Sequence, residues 1–201
     1  MTLTWNHENE LASPNVVPGG GGDIWPCKPN PEPGVNASGV EFLAEMERLH
    51  MIVDVSHLSD RGFWDIAEHS TRPFAASHSN CRALAPHCRN LTDEMIRVMA
   101  EKGGLVGLNY CSGFLDDQPR PELCRSTTAL MARHAAHFKQ VGGIEIIGLG
   151  SDFDGIGGKL EMGDCSKLPL LADALRKEGF TEDEVEQIFF RNAQRFFEEN
   201  L

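Results

Sequence analysis

The chain has 201 residues, with 18 Lys+Arg against 30 Asp+Glu, and a formal net charge of −12. This length suits one domain, and a composition that is 41% hydrophobic and 24% charged excludes a disordered or collagen-like chain. An acidic chain without a Lys/Arg cluster is poorly equipped to neutralise phosphates, so we expect no nucleic-acid partner. No apolar run reaches the roughly 20 residues of a membrane span, and the first residues do not resemble a signal peptide. We therefore predict a cytoplasmic protein with no membrane partner.

Predicted helices and strands alternate along most of the chain. Residues 2–5 are a predicted strand, and residues 13–39, rich in Gly and Pro, are a predicted loop. Beyond this loop, apolar residues at helical spacing predict helices, and short apolar runs predict strands. The predicted helices cover residues 40–49, 60–68, 92–101, 126–141, 168–177 and 182–198, and the predicted strands cover residues 51–55, 74–77, 105–110 and 144–149. Such apolar strands are typical of an α/β fold with a parallel sheet buried on both faces.

The six cysteines are interpreted as free thiols. They stand at positions 27, 81, 88, 111, 124 and 165, and no pair has the short spacing of a zinc knuckle or a redox Cys-x-x-Cys motif. Because a chain of this length does not need disulfides to fold, we predict a reducing compartment.

Three predicted strands end in residues that point to chemistry. His57 and His78 follow two successive strands, 21 residues apart in the sequence, and Asp152 follows the last strand. A single histidine in such a place is more often part of a helix cap. Two histidines at equivalent ends of neighbouring parallel strands instead favour a metal site, because Zn²⁺ prefers fixed, neutral imidazole nitrogens.

Four motifs, in order, resemble those of one enzyme family. Residues 53–59 (VDVSHLS), 76–80 (ASHSN), 87–93 (HCRNLTD) and 148–155 (GLGSDFDG) are similar to motifs of the membrane dipeptidase (renal dipeptidase) family, in particular its bacterial members. The resemblance covers nearly the whole chain. It implies a metal-dependent amidohydrolase-type (β/α)8 TIM barrel in which a pair of zinc ions activates a water molecule that hydrolyses dipeptides.

The resemblance also implies roles for four residues. His57 and His78 correspond to the two histidines that hold the second zinc ion. Asp152 corresponds to the aspartate that takes the proton of the metal-bridging water and passes it to the leaving amine. Arg89 corresponds to the arginine that binds the substrate carboxylate, which a guanidinium recognises through two hydrogen bonds.

Two further residues are weaker candidates for substrate binding. Phe114 falls near the place where some family members have a substrate-contacting tyrosine, so it can pack against substrate but cannot donate a hydrogen bond. Trp5 stands where mammalian members have a histidine that stabilises the tetrahedral intermediate. We expect His7 to replace that histidine, with an ordinary loop histidine as the alternative interpretation.

Two parts of the family pattern are absent from this sequence. It has no His-x-Asp pair and no counterpart of the bridging glutamate, so only one half-site for zinc is recognisable. The predicted strands correspond to strands 4 to 8, which makes residues 1–201 a single, incomplete barrel domain with open sheet edges. We therefore expect a small dipeptide substrate, and a homo-oligomer or association through those edges.

Two other hypotheses stay open at this stage. One is a truncated, non-catalytic dipeptidase-like chain that acts as a binding or partner module, because the first half of the metal site is absent. The other is an unrelated α/β protein with accidental histidines, which the four ordered motifs disfavour.

Overall fold

The structure is a computed structural model that describes residues 1–16 and 29–201. Its helices are α1 (Ala37–Arg48), α2 (Asp60–His69), α3 (Asp93–Glu101), α4 (Ser112–Leu115), α5 (Thr128–Gly142), α6 (Leu168–Glu178), α7 (Glu182–Glu186) and α8 (Asn192–Asn200). Short 3₁₀ turns cover Pro121–Leu123 and Cys165–Lys167, and a π-helical turn, Gln187–Arg191, joins α7 to α8. The strands are β1 (Ala75–Ala76), β2 (Leu105–Leu108) and β3 (Ile147–Leu149).

The strands form a small open parallel sheet in the order β1-β2-β3. Ala76 lies opposite Val106, and Gly107 lies opposite Gly148. Two parallel bridges, Thr2 to Asp54 and Asp54 to Ala75, extend the sheet on the β1 side. Neighbours therefore follow one another in chain order and run in one direction, which brings their carboxyl ends to a single edge. The predicted α/β fold with a parallel sheet is confirmed.

The core lies between this sheet and the helices. Helix α5 packs against α3 and α6, while β3 packs against the π turn. Val106 and Ile147 are fully buried in the sheet, and Ile96 of α3 and Phe138 of α5 are fully buried opposite them. Helices α2, α3, α5 and α7 start within two residues of the predicted starts, because a side-chain N-cap such as that of Ser59 accepts a hydrogen bond from the first turn.

Several predicted elements differ in the structure. The predicted strand at 2–5 is reduced to a single bridge at Thr2, and the predicted strand at 144–149 begins only at Ile147. The predicted strand at 51–55 is reduced to bridges at Asp54, because the ladder ends after the Val55 amide, which donates to the Ala75 carbonyl, and the amides of Ser56 and Ser77 donate instead to the Asp54 carboxylate. The predicted helix 182–198 is interrupted by the π turn, after which the Asn192 amide donates to the carbonyls of Ile144 and Ile147. The predicted loop 13–39 is shorter, because Asn36 caps a helix that begins at Ala37; its residues 17–28 lie outside the described residues.

The prediction that all six cysteines are free is wrong for Cys88, which is disulfide-bonded. Cys81, Cys111, Cys124 and Cys165 are free, and Cys27 lies outside the described residues. Within residues 1–16 and 29–201, no helix is long and apolar enough to cross a bilayer.

Candidate metal centre

Two histidines converge at the carboxyl edge of the sheet. His57 follows the bridged segment at Asp54, and His78 follows β1, so adjacent strands deliver the two rings to one point. Their Nε2 atoms lie 3.0 Å apart, and the ring centroids are 5.0 Å apart. The sequence spacing of these residues predicts this meeting, and the structure brings them together.

The hydrogen bonds of the two rings direct both Nε2 lone pairs into the same space. The Nδ1 of His57 lies 3.2 Å from Oδ1 of Asn6, and the Nδ1 of His78 lies 2.7 Å from Oγ of Ser77. An amide oxygen only accepts, and the Ser77 hydroxyl already donates its proton to Asp54. Each Nδ1 therefore carries the ring proton, which leaves each Nε2 unprotonated, with a lone pair.

Both imidazoles are neutral at pH 7. Burial, reinforced by the positive charge of Arg89, lowers the pKa of His57 to about 3. Burial and Arg89 also lower the pKa of His78. Neutral rings can bind a metal ion without first losing a proton.

This pair fits two positions of a zinc site. Tetrahedral zinc ligands at about 2.0–2.1 Å from the ion lie about 3.3 Å from each other, close to the 3.0 Å between the two Nε2 atoms. Among the described residues, however, no group of three or more His, Cys, Asp and Glu side chains is arranged around one point. The described part of the chain thus supplies two ligands, and a stable ion needs at least one more.

Arg89 is a buried cation beside the histidines. It is 4% exposed, and its Nη2 donates to Nε2 of His57 at 3.2 Å and to the carbonyl of His78 at 3.3 Å. Its Nη1 is buried and has no hydrogen-bond partner in the described part of the chain. Burial lowers the pKa of Arg89 to about 10, which still leaves it charged at pH 7. A buried, incompletely paired guanidinium is suited to bind an anion.

Phe114 supports Arg89 from one side. The guanidinium carbon lies 5.4 Å from the centroid of the Phe114 ring, which is a cation–π distance. The centroid of the His87 ring lies 4.5 Å from the centroid of the same phenyl ring. The side-chain amides of Asn80 and Asn90 both donate to the Phe114 carbonyl. Because Phe114 is itself buried, the structure places it as a support for the arginine.

Asp152 reaches the same site from the end of β3. Its Oδ2 accepts a hydrogen bond of 3.2 Å from Nδ2 of Asn109, and the same nitrogen lies 3.4 Å from the carbonyl of His78. Asp152 has a φ of 61°, a left-handed backbone that side chains other than those of Gly, Asn and Asp adopt rarely.

The space beside the Asp152 carboxylate depends on a glycine. A Cβ at Gly155 would lie 2.2 Å from Oδ1 of Asp152, so Gly155→Ala is expected to displace the carboxylate and to lower the free energy of unfolding by about 1–3 kcal/mol. Urea unfolding and a crystal structure of the variant would check this. Gly157→Ala is the matched control, because a Cβ there meets nothing within 4 Å in the described structure. Equal stability of the two variants would contradict the expectation.

The structure does not bring His7 to this cluster. Its side chain is exposed, and the hydrogen bond recorded for it among the described residues is one that its carbonyl accepts from Thr4. Its neighbour Asn6 holds His57 instead, and the Trp5 ring lies 6.3 Å from the His57 ring.

Sequence reasoning missed four polar residues that hold the candidate site together, namely Asn6, Asp54, Ser77 and Asn109. Asp54 and Ser77 stand three and one residues before a histidine, inside the motifs VDVSH and ASHS. A carboxylate in an otherwise apolar strand was the available signal, since it requires polar partners when buried.

Comparison with known proteins identifies the family. The membrane dipeptidase family (peptidase family M19) matches residues 1–200. The chain belongs to this family. It is 36% identical over 191 residues to an uncharacterized protein in the pqqA 5' region of Klebsiella pneumoniae, and 34% identical over 197 residues to an uncharacterized dipeptidase of Schizosaccharomyces pombe. The family suggested by the four motifs is confirmed.

Solved structures agree with this membership. A metallopeptidase from Rhodobacter sphaeroides, liganded with a phosphinate mimic of the dipeptide L-Ala-D-Ala, superposes with a TM-score of 0.86 at 29% identity. The M19 metallopeptidase dipeptidase AC superposes with a TM-score of 0.85 at 31% identity. Both matches cover nearly the whole of this chain, 100% and 98%.

The relatives are longer than this chain. The matched region covers 95% of the chain and 68% of the Klebsiella protein, but 97% of the chain and only 45% of the yeast dipeptidase. It covers 55% and 56% of the two solved metallopeptidases. The chain therefore spans about half the length of most of these relatives.

Proposed function

We propose that this chain carries one half-site of a zinc-dependent dipeptidase that hydrolyses the peptide bond of dipeptides through a zinc-activated water. The single observation that carries the proposal is the convergence of two neutral Nε2 lone pairs, those of His57 and His78, 3.0 Å apart and beside the buried cation Arg89. The Nε2 of His57 accepts a hydrogen bond from Nη2 of Arg89 in this structure, and a zinc ion would replace that donor as the common partner of the two lone pairs.

Each residue of the candidate site has a separate role in the proposed reaction. His57 and His78 would hold the zinc ion, and the ion would supply a lowered pKa for a bound water molecule and polarisation of the scissile carbonyl. Asp152, oriented by Asn109, accepts the proton of the attacking water and returns it to the leaving amine. Arg89, supported by Phe114, binds the carboxylate of the substrate.

The fold we propose for the whole site is an amidohydrolase-type (β/α)8 barrel of which this chain forms about strands 4 to 8. The parallel order from Thr2 through β3 supports this, because barrel strands follow one another in the same way. The two-zinc site of the family would then take its remaining ligands from elements outside these five strands. Association through the open sheet edges, or a homo-oligomer, is part of this proposal.

The test of the proposal uses the purified chain. We expect zinc to be retained after dialysis, as measured by elemental analysis, and hydrolysis of Gly-dehydroPhe and of L-Ala-D-Ala to follow the zinc content. His57→Ala and His78→Ala should each lose both the metal and the hydrolysis. A chain that retains no zinc and hydrolyses neither dipeptide would contradict an activity of this polypeptide alone.

The described residues around the histidine pair supply no third ligand, and this favours a second candidate function. Within the described residues no three-ligand group exists, which supports a non-catalytic, dipeptidase-like chain that acts as a partner module. Sedimentation of the metal-free chain separates the two proposals: a stable oligomer without zinc retention or hydrolysis favours the partner module. We propose a cytoplasmic location and no nucleic-acid or membrane partner in either case.

A further inference from the structure

Asp54 is a half-buried carboxylate of the bridged sheet that is joined by hydrogen bonds to the serines next to His57 and His78. Its Oδ1 accepts hydrogen bonds from the hydroxyl of Ser56 at 2.7 Å and from the backbone amides of Ser56 and Ser77 at 3.0 and 2.9 Å. Its Oδ2 accepts from the hydroxyl of Ser77 at 2.5 Å. Two serine hydroxyls thus have their protons committed to one carboxylate.

Both serines hold His78 in turn. The Oγ of Ser77 lies 2.7 Å from Nδ1 of His78, and the Oγ of Ser56 accepts from the backbone amide of His78 at 3.1 Å. Because each hydroxyl has only one proton, and Asp54 takes both, each oxygen faces His78 as an acceptor. The ring and the backbone of His78 are therefore fixed at two points by the same carboxylate.

We propose that Asp54 is a positioning residue for the metal site: through Ser77 it keeps the proton of His78 on Nδ1, and through Ser56 it fixes the His78 backbone, so that Nε2 is presented to the metal. The presentation of Nε2 to a metal ion rests on the proposed function. The tautomer itself does not, because it follows from hydrogen bonds within the described residues. Groups behind metal-binding histidines commonly set the ring tautomer and orientation in this way.

The hydrogen bonds around Asp54 also predict how a substitution there changes the tautomer of His78. In Asp54→Asn, the asparagine side chain has an NH₂ group at one of the two positions now occupied by oxygen. Facing Ser77, this group would donate to Oγ, and the serine would then turn its own proton toward Nδ1 of His78. Asp54→Asn is therefore expected to move the ring proton of His78 from Nδ1 to Nε2, the atom that faces His57.

The experiment is ¹⁵N NMR of the imidazole rings in the metal-free chain at pH 7.5. In the parent chain we expect His78 to be protonated on Nδ1. In Asp54→Asn we expect it to be protonated on Nε2, and in Ser77→Ala we expect a mixture of both tautomers. Ser77→Thr keeps a hydroxyl and should restore the parent spectrum. His57 is an internal reference, because Asn6 holds its Nδ1 independently of Ser77.

A second readout concerns the metal. Zinc affinity is expected to fall about 10–100-fold in Ser77→Ala and to recover in Ser77→Thr. The control is Ser126→Ala, at a buried serine whose hydroxyl donates to the Tyr110 carbonyl away from the histidines. It should leave both the His78 tautomer and the zinc affinity unchanged.

The outcomes separate the two proposals. An unchanged His78 tautomer in Asp54→Asn and Ser77→Ala would overturn the positioning role, whether or not zinc binds. A tautomer that changes as expected, in a chain that never retains zinc, would support the positioning role and contradict the proposed function. If Asp54→Asn does not fold, the Ser77→Ala and Ser77→Thr pair alone decides.

Discussion

Replacing Arg89 with methionine is expected to raise the free energy of unfolding by about 2 kcal/mol, because the guanidinium is 4% exposed and incompletely paired. The ion pairs among the described residues do not include Arg89. Methionine has a similar length and needs no hydration. The same change should reduce the proposed dipeptide hydrolysis at least about 100-fold, since two charge-assisted hydrogen bonds to the substrate carboxylate are lost.

Arg82 supplies the matched control in the same region of the chain. It makes a two-pronged ion pair with Asp60, at 2.7 and 2.8 Å, and donates to the Asn90 carbonyl at 2.8 Å. Arg82→Met is therefore expected to lower the free energy of unfolding by about 2 kcal/mol, because Asp60 loses its partner. Urea unfolding measures both variants. If Arg89→Met destabilised the chain as Arg82→Met does, Arg89 would be a structural residue.

The expected increase in the free energy of unfolding on replacement of Arg89 has a physical explanation. Burial of an unpaired cation costs free energy, and a folded protein tolerates that cost where the charge has a task. Arg89 also helps to keep His57 neutral, because its charge lowers the pKa of that ring. In the proposed function, the same cation would keep the histidine neutral for a metal ion and would bind an anionic substrate group.

The location of the candidate site could be predicted because it depends on strand ends. In a parallel sheet, the residues that follow successive strands meet at one edge, so the spacing of His57 and His78 was sufficient to predict their meeting. Asp152 follows by the same rule after β3. Helix starts were equally accessible, as the capping box between Thr181 and Glu184 shows, because caps are local signals.

The other features depend on contacts that are distant in sequence. Residues 5–7 form no regular element, so nothing periodic indicates that Asn6, and not His7, faces His57. The strands are short because their lengths depend on pairing with segments that are distant in the sequence. The disulfide partner of Cys88 cannot be identified from the spacing of the cysteines. The roles of the site residues in catalysis stay predictions.

Acidification from pH 8 to pH 5 is expected to lower the free energy of unfolding of the metal-free chain by about 4 kcal/mol. Burial lowers the pKa of His57 to about 3 and that of His134 to about 4, against 6.5 in the unfolded chain. Below pH 6.5 the unfolded chain therefore binds protons that the folded chain rejects, at a cost of about 2 kcal/mol for each histidine by pH 5. His78, whose pKa is also lowered by burial, adds to the loss.

The carboxylates do not explain a loss in this range. Burial raises the pKa of Asp54, but hydrogen bonds from Ser56 and Ser77 lower it, and the net effect is a decrease. The contribution of Asp54 to the free energy of unfolding is therefore lost only as the pH falls below the ordinary pKa of 3.8. Urea unfolding in the presence of a chelator, at several pH values from 8 to 5, measures the effect. The control is His50→Asn, a change at an exposed residue with a φ of 57°, which should keep the same pH dependence. A free energy of unfolding that stays constant between pH 8 and pH 5 would show that the buried histidines accept protons in the folded chain, and would contradict the neutral pair on which the metal centre depends.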